Sequence, residues 1–485
     1  MKKNQIASIP RRKAIERGAV ALLLLLYVLL QAPTLPNAPW EGYDTWRQGD
    51  TYSVAVNYAQ YSMHPLRPQF NYDGTADIVV QLELQLVPYL SALLFQLTGP
   101  TPLVPRVLGL ACFLGSAAFL YGILRRFVSF LPALGGLLVY LLLPICLLYS
   151  RAIMPESCAL FFYCGGVYFL LRWFQDGHGP SLYCSALFTA LGIMEKTPVL
   201  FVGLLVLAVF WWKLGKGCLK AKGFYGYGLL SLGLPLLYYT YASQVATISF
   251  VDGIATKHIF STKILGLFTR EGLAFFWREL PLFFGWGVLL AGAVGFALAL
   301  YKRAHFLSVW ALAFALEWAT IVVVIQFGYY LIFMAPPLAA LCALLFQSLF
   351  AQRRALGLAC AALVVALTAY TGLPRWHQLT QVNQDIQAVG ALIQATTQKG
   401  DVLAVAWADP VYINAADRHG FRVLLPEGGA PDPAADLQSR RDQGADYFVV
   451  IGAGIPQDDG RYQAYLDQHC PVAAENGLCT IYEMR

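Results

Sequence analysis

The stretch ELQLVPYLSALLFQLTG, Glu83 to Gly99, is apolar enough to pass for a membrane span, and its reading sets the topology of the whole chain. It falls short of the roughly 20 apolar residues that a spanning helix needs. It also holds Gln85, Pro88 and Gln96 and begins on a carboxylate, Glu83. If it crossed, Arg125 and Arg126 would land outside. Laid along the interface as an amphipathic helix, it lets the basic residues sort onto one side. Lys2, Lys3, Arg11, Arg12, Lys13 and Arg17, then Arg125/Arg126, Arg172, Lys213/Lys216/Lys220/Lys222, Lys302/Arg303 and Arg353/Arg354 then share a face. Short loops rich in Lys and Arg stay cytoplasmic, so that face is inside and the C-terminus is outside.

The totals agree with a membrane setting. Of 485 residues, 58% are hydrophobic and 13% charged, with mean hydropathy +0.55, whereas soluble domains carry about 25% charged residues. This predicts a polytopic α-helical membrane protein of about eleven spans, at 18–35, 104–124, 129–150, 157–173, 181–194, 197–212, 224–242, 281–301, 306–325, 330–350 and 355–372. The opening MKKNQIASIPRRKAIERGAVALLLLLYVLL has the basic-then-apolar order of a signal peptide but no small-residue cleavage site, so an uncleaved first anchor is expected. Residues 1–17 form a basic cytoplasmic terminus, 18–372 the membrane domain, with the first external loop and its surface helices at 36–103, and 373–485 an extracytoplasmic domain.

That last domain reads as a small α/β fold. DIQAVGALIQAT, DVLAVAW, DPVYINAADRHG, FRVLL, DPAADLQSRRDQG and DYFVVIG alternate helical and strand patterns. GAGIPQDDG has the wrong spacing for a dinucleotide fingerprint. Eight of the ten cysteines sit in or beside apolar segments as small hydrophobes. Cys470 and Cys479 lie in the external domain, where an oxidising compartment would let them pair.

The first external loop is acidic: Glu41, Asp44, Asp50, Asp73, Asp77 and Glu83 against Arg47 and Arg67. Within EGYDTWRQGDTYSVAVNYAQ (Glu41–Gln60), Asp44, Arg47 and Asp50 recur every three residues. On a helix, Arg47 then neighbours both carboxylates, and the aromatic residues suit a helix lying on the membrane surface. An ion-paired helix that only anchors the loop explains the same pattern. SRAIMPES (150–157), MEKTP (194–198), the loop 243–280 and QFGYY (326–330) fall on the same outer face.

Five segments in order carry a resemblance: WRQGDTYSVAVNY (46–58), QLELQLVPYLSALLFQLTG (81–99), YSRAIMPESCALFF (149–162), GIMEKTPVLF (192–201) and YYLIFMAPPLAAL (329–341). Over about residues 20–345 the chain resembles bacterial GT-C glycosyltransferases of the protein O-mannosyltransferase and aminoarabinose-transferase type. The resemblance implies transfer of a sugar from a polyprenyl-phosphate donor, with inversion, using an acidic residue of the first external loop. The family's aspartate-x-x-arginine pattern falls on Asp44 and Arg47, its arginine-glutamine-x-aspartate version on Arg47 and Asp50. Either carboxylate qualifies as the base, with Asp50 in the better-matching stretch. Glu83 matches the acid heading the second surface helix, while Gln85 stands where aminoarabinose transferases have a lysine.

Such a transfer needs a base for the attacking hydroxyl and cations for the leaving phosphate. Asp50 or Asp44 supplies the first. Arg47 is expected to orient that base or contact the phosphate, Arg151 and Lys196 to bind the phosphate, Tyr329 and Tyr330 to touch the donor head, and Glu83 and Glu156 to order the acceptor side. Arg151 and Lys196 stand at span ends, where snorkelling to the headgroups is the plain alternative. Glu156 equally suits the first turn of a helix, and Tyr329 and Tyr330 suit an interface. The resemblance implies no obligatory metal or other cofactor, a divalent metal stays open, and the seven histidines form no close cluster, although His64 and His258 share the outer face. The expected partners are membrane lipids, the lipid-linked sugar and a protein, lipid or glycan acceptor, with no nucleic acid. The setting implied is the bacterial inner membrane. A secondary transporter is the rival reading, with Glu317 the one acid in mid-span; a scaffold or receptor leaves the acidic loop unexplained.

Overall fold

The computed structural model describes residues 8–74, 78–249, 269–427, 429–430, 432–452 and 454–484, with residues 8–12 described by backbone only. Asp77, His258, Lys2, Lys3 and the 250–268 part of the expected loop 243–280 lie outside the described residues. The chain forms two compact units. The first comprises Met1–Leu35, Arg106–Ser243 and Phe250–Gln378; the second comprises Pro36–Pro105, Gln244–Ser249 and Leu379–Arg485.

The chain is a multi-pass membrane protein whose first unit is a helical bundle. Among the described residues, seven helices are long and apolar enough to cross a bilayer: Lys13–Thr34, Leu103–Leu124, Glu156–Asp176, Thr197–Lys220, His305–Ile325, Gly328–Gln352 and Arg354–Leu379. A pair, Arg270–Phe284 and Trp286–Tyr301, makes up to eight if counted as one span, and it is bent by 99° at Gly285, whose φ of 73° suits a residue without Cβ. The other three expected segments are also helical. The one at 129–150 breaks into Phe130–Leu142 and Pro144–Tyr149. Pro144 forces Leu143 into an extended conformation with ψ 133°. Gly179–Glu195 has only 17 residues, and Lys222–Val245 is tyrosine-rich with Pro235 inside it.

Gly328–Gln352 is wholly buried, whereas Lys13–Thr34 and Arg354–Leu379 are mostly exposed. A helix apolar all round suits both a bundle core and a lipid-facing rim. Small residues allow the close approach that membrane helices rely on. A Cβ at Gly136 would come 3.0 Å from the Ala339 carbonyl oxygen, and one at Gly295 2.2 Å from that of Leu341.

The second unit contains the segment on which the topology turns. It folds as the helix Leu86–Thr98 of 13 residues, about 20 Å long and too short for a hydrocarbon core of about 30 Å. Val87, Ala92 and Phe95 are buried, while Leu90, Leu93, Leu94 and Leu97 are exposed, the apolar outer face of a surface helix. It packs on the helix Thr45–Gln60 through Tyr58–Tyr89 and Tyr52–Phe95 edge-to-face contacts at 5.6 and 6.2 Å.

The C-terminal part is the expected α/β domain. Strands β3 (Val402–Ala406), β4 (His419–Arg422), β5 (Tyr447–Ile451), β6 (Val472–Asn476) and β7 (Cys479–Glu483) form a sheet of order β4-β3-β5-β7-β6. The first three are parallel and β7 and β6 antiparallel. Asn383 and Asp432 cap the helices Gln384–Thr396 and Pro433–Asp442. Two features go beyond the sequence reading. The helix Arg354–Leu379 runs past residue 373, so the second unit resumes at Leu379. The first loop belongs to this same unit: β1 (Val80–Gln81) pairs with β2 (Ile248–Ser249), Tyr72 and Gly74 bridge to Gly420, and the Asn383 amide donates to the Trp40 carbonyl at 2.7 Å. Cys470 and Cys479 are free thiols. Cys479 pairs with Asn476 at one end of the β6–β7 hairpin, and Cys470 lies just before Val472 at the other. At about 3.3 Å per residue they stand well beyond the roughly 7 Å Cα limit of a disulfide.

Candidate active site

The expected residues are divided between the two units. In the second unit the helix Thr45–Gln60 starts directly after Asp44, a half-exposed residue held at φ 43°, ψ 40°. This left-handed conformation is unfavourable for a residue with a Cβ, and Asp tolerates it better than most. Arg47 makes its ion pair with Glu83, Nη2 to Oε2 2.8 Å, across 36 residues of chain. Gln85, in the place of the expected lysine, donates to the Glu83 carbonyl at 2.9 Å.

Asp50 is 1% exposed. Tyr72 Oη donates to its Oδ2 at 3.0 Å and Asn414 Nδ2 to its Oδ1 at 2.9 Å. Burial pushes its carboxyl up to about 7, against the opposing pull of Arg47 and of the two hydrogen bonds. Tyr72 is fixed in turn by the Trp46 indole N–H at 3.4 Å and by Arg422, whose guanidinium lies 4.8 Å from its ring centre. Arg422 also pairs with Asp73, Nε to Oδ1 3.0 Å.

In the first unit, Glu156 opens the helix Glu156–Asp176 after Pro155. Lys196 occupies an extended residue, φ −158°, between the helix Gly179–Glu195 and the tight turn Thr197–Phe201. Lys196 Nζ lies 3.0 Å from Glu156 Oε1, with side chains 2% and 0% exposed. The contact is an ion pair out of hydrogen-bond alignment, and among the described residues neither Glu156 oxygen accepts a hydrogen bond. The same ammonium stands 5.0 and 4.8 Å from the ring centres of Tyr329 and Tyr330, and those rings stack at 5.0 Å. Arg151 is fully buried. Its Nη1 donates to the Thr34 carbonyl at 3.1 Å, and its own carbonyl accepts from Arg106 at 3.3 Å. Neither Lys196 nor Arg151 snorkels, because the bundle encloses both.

An apolar cavity of about 930 Å³ opens in the same unit, lined among others by Ile193, Leu200, Leu204, Leu207, Tyr227 and Leu232. Ile193 and Leu200 flank Lys196 in the chain. Among the described residues no cluster of three His, Cys, Asp or Glu is spaced to hold a metal ion.

Tyr72, Asn414, Arg106 and Arg422 were not legible as site neighbours. Asn414 lies 364 residues from Asp50, and nothing in its local pattern marks it. Arg106, at the start of a span, was the one with a signal, since a charge there is costly unless used.

Residues 85–239 match the family described as dolichyl-phosphate-mannose-protein mannosyltransferase. ArnT from Cupriavidus metallidurans bound to undecaprenyl phosphate has a similar structure, with TM-score 0.68 and 12% identity over 96% of this chain and 98% of that one. The Archaeoglobus fulgidus oligosaccharyltransferase tethered to an acceptor peptide aligns at TM-score 0.61 and 12% identity, over 90% of this chain and 69% of that one. The arabinofuranosyltransferase AftD from Mycobacteria gives TM-score 0.58 and 15% identity over 96% of this chain, which spans 40% of AftD. No curated protein sequence matches. The fold is that of the GT-C glycosyltransferases.

Proposed function

We propose that this chain is a glycosyltransferase that moves a sugar from a polyprenyl-phosphate donor to an extracytoplasmic acceptor, with Asp44 as base. One observation carries the reading: a buried lysine, flanked by two tyrosines, whose chain neighbours line a large apolar cavity. That combination suits an amphiphile with an anionic head and a long apolar tail, and undecaprenyl phosphate, the ligand of the similar ArnT structure, is such a molecule.

In the reaction the acceptor hydroxyl attacks the sugar carbon, the bond from that carbon to the phosphate oxygen breaks with inversion, and the polyprenyl phosphate departs. Lys196 offsets the charge growing on the departing phosphate, and its burial keeps the ammonium aimed in advance. Arg151 supports the same region, and Tyr329 and Tyr330 border the donor head. Glu156, whose oxygens accept no hydrogen bond among the described residues, is suited to a substrate hydroxyl. Asp44, half-exposed and held in a strained conformation, takes the proton of the attacking hydroxyl. Asp50 has both oxygens committed to Tyr72 and Asn414 and positions the helix behind it. Arg47, tied to Glu83, orients the base or meets phosphate. The N-terminus lies in the cytoplasm and the second unit outside a bacterial inner membrane. Hexosyl and pentosyl donors both fit this chemistry.

A polytopic transporter is the second reading. Glu317 favours it: buried, without a hydrogen-bond partner among the described residues, and set where the helix His305–Glu317 widens into the π-helical turn Trp318–Val322. Protein in vesicles, given radiolabelled sugar on polyprenyl phosphate and envelope extract as acceptor, separates the two. Transfer of label with release of polyprenyl phosphate, lost in Lys196→Ala, is expected. Accumulation of unreacted donor across the membrane would overturn the transferase.

A further inference from the structure

Asp44 sits between two stretches of chain that the C-terminal part of the second unit holds in place. On its N-terminal side, the Gly42 amide donates to the Leu379 carbonyl at 2.9 Å and the Asn383 amide to the Trp40 carbonyl at 2.7 Å. Asn37 Nδ2 donates to the Thr380 carbonyl at 2.8 Å, and the Trp40 ring packs with Ile386 and Val411. On its C-terminal side, Trp46 Nε1 donates to Tyr72 Oη at 3.4 Å, and Asp50 accepts from Tyr72 Oη at 3.0 Å and from Asn414 Nδ2 at 2.9 Å. Gly49 lets the helix come this close: a Cβ there would lie 3.1 Å from the Trp40 ring and 3.3 Å from Asn414 Nδ2. Between the held residues Gly42 and Trp46 stand only Tyr43, Asp44 and Thr45.

Tyr72 is itself fixed by the α/β domain. It bridges to Gly420 in β4, and its ring lies 4.8 Å from the Arg422 guanidinium. Arg422 is anchored in turn, Nε to Asp73 Oδ1 at 3.0 Å and Nη1 to the Ala408 carbonyl at 3.1 Å. The bridges of Tyr72 and Gly74 to Gly420 already hold the loop on the sheet, so docking alone needs no buried carboxyl, whose desolvation is costly. A left-handed residue with a Cβ persists where its surroundings over-determine it, and Asp44, at φ 43°, is fixed from both sides.

We propose that Asn414 and Arg422 of the α/β domain are positioning residues for the transfer: through Asp50 and Tyr72 they fix the start of the helix Thr45–Gln60, and with it the carboxylate of Asp44. That this carboxylate is the base rests on the transferase reading; that the domain sets its position does not.

The test uses the full-length protein in lipid nanodiscs. Hydrogen exchange is followed by mass spectrometry over residues 44–51, with kcat and donor KM measured per folded molecule. Asn414→Asp sets a second carboxyl against Asp50 in a buried place, where like charges repel. Exchange over 44–51 should quicken about tenfold or more, and kcat should fall at least about tenfold with donor KM unchanged. The exchanged pair, Asp50→Asn with Asn414→Asp, sets a donor opposite an acceptor again and should recover most of both, which lost packing would not. Tyr72→Phe keeps the ring and drops only the hydroxyl, so it remains readable if Asn414→Asp fails to fold; it should move both readouts the same way by a smaller factor. Arg422→Gln should do likewise, and Arg422→Lys, which keeps a cation over the ring, should recover part. Unchanged exchange over 44–51 in Tyr72→Phe or Arg422→Gln, or no recovery in the exchanged pair, would overturn the proposal. Quickened exchange in a protein that transfers no sugar removes the transferase and leaves the positioning. Transfer with unchanged exchange in the variants does the reverse.

Discussion

Two ion pairs, Lys196–Glu156 in the first unit and Arg47–Glu83 in the second, have similar chemistry and different settings. The first is enclosed by the helical bundle, with side chains 2% and 0% exposed; the second joins two surface helices, with 12% and 8%. Enclosure makes each partner depend on the other, since a buried charge left alone keeps its full desolvation cost. Nearer to solvent, water takes over part of what a lost partner provided. A charge at the end of an apolar segment is therefore ambiguous until the packing around it is known. In the bundle it is a structural commitment as well as a candidate functional group; on the surface helices the two roles come apart.

The largest effect is expected where function separates most cleanly from stability. Asp44→Asn should lower transfer by about 10²–10⁴-fold with no shift in the thermal unfolding of detergent-solubilised protein. Retained transfer would move the base elsewhere, Asp50 first. Lys196→Met should lower transfer by about 10²–10³-fold and also cost about 3–5 kcal/mol, because Glu156 stays buried without its cation. Adding Glu156→Gln to Lys196→Met should restore most of the stability and none of the transfer. If the double variant is no more stable than the single one, the contrast between the two pairs fails. Glu83→Gln, which leaves the more accessible Arg47 without this partner, should cost less than Lys196→Met, with a modest fall in transfer measured alongside.

A further effect concerns pH. The Asp50 carboxyl titrates at about 7 in the fold and at about 3.9 in an unfolded chain. Between those values the folded protein holds a proton that the unfolded chain has released. Stability therefore falls as pH rises through that window and levels off above about 7. Thermal scans at pH 5 and pH 8 should show the wild type less stable at pH 8, and Asp50→Asn should narrow the difference. An unchanged difference would mean that some other group is responsible.

Much of the architecture was legible because it is written in local periodicity. All eleven expected segments are helical, and the helix Leu86–Thr98 has the length and exposed leucines of a surface element. DVLAVAW and DYFVVIG became adjacent parallel strands. The breaks were less legible. Pro144 was visible, but whether a proline breaks a span or only kinks it depends on what packs beside it. The site was half legible: Lys196, Glu156, Tyr329 and Tyr330 do meet. Arg47, expected beside Asp44 and Asp50, acts on the Asp50 carboxyl and also pairs with Glu83, a partner 36 residues away that local spacing does not reveal.

What the sequence determined by itself was composition and period: the apolar lengths, the surface helices, the order of strands and helices in the tail, and the residue types able to carry charge. Only the tertiary structure decided which of those residues are enclosed and what they touch. It joined the first loop to the C-terminal sheet in one unit and brought Asn414 to Asp50. The physical reason is range. Helix and strand formation depend on neighbours a few residues away, whereas burial and hydrogen-bond partners depend on how distant segments pack, and local pattern does not encode that packing.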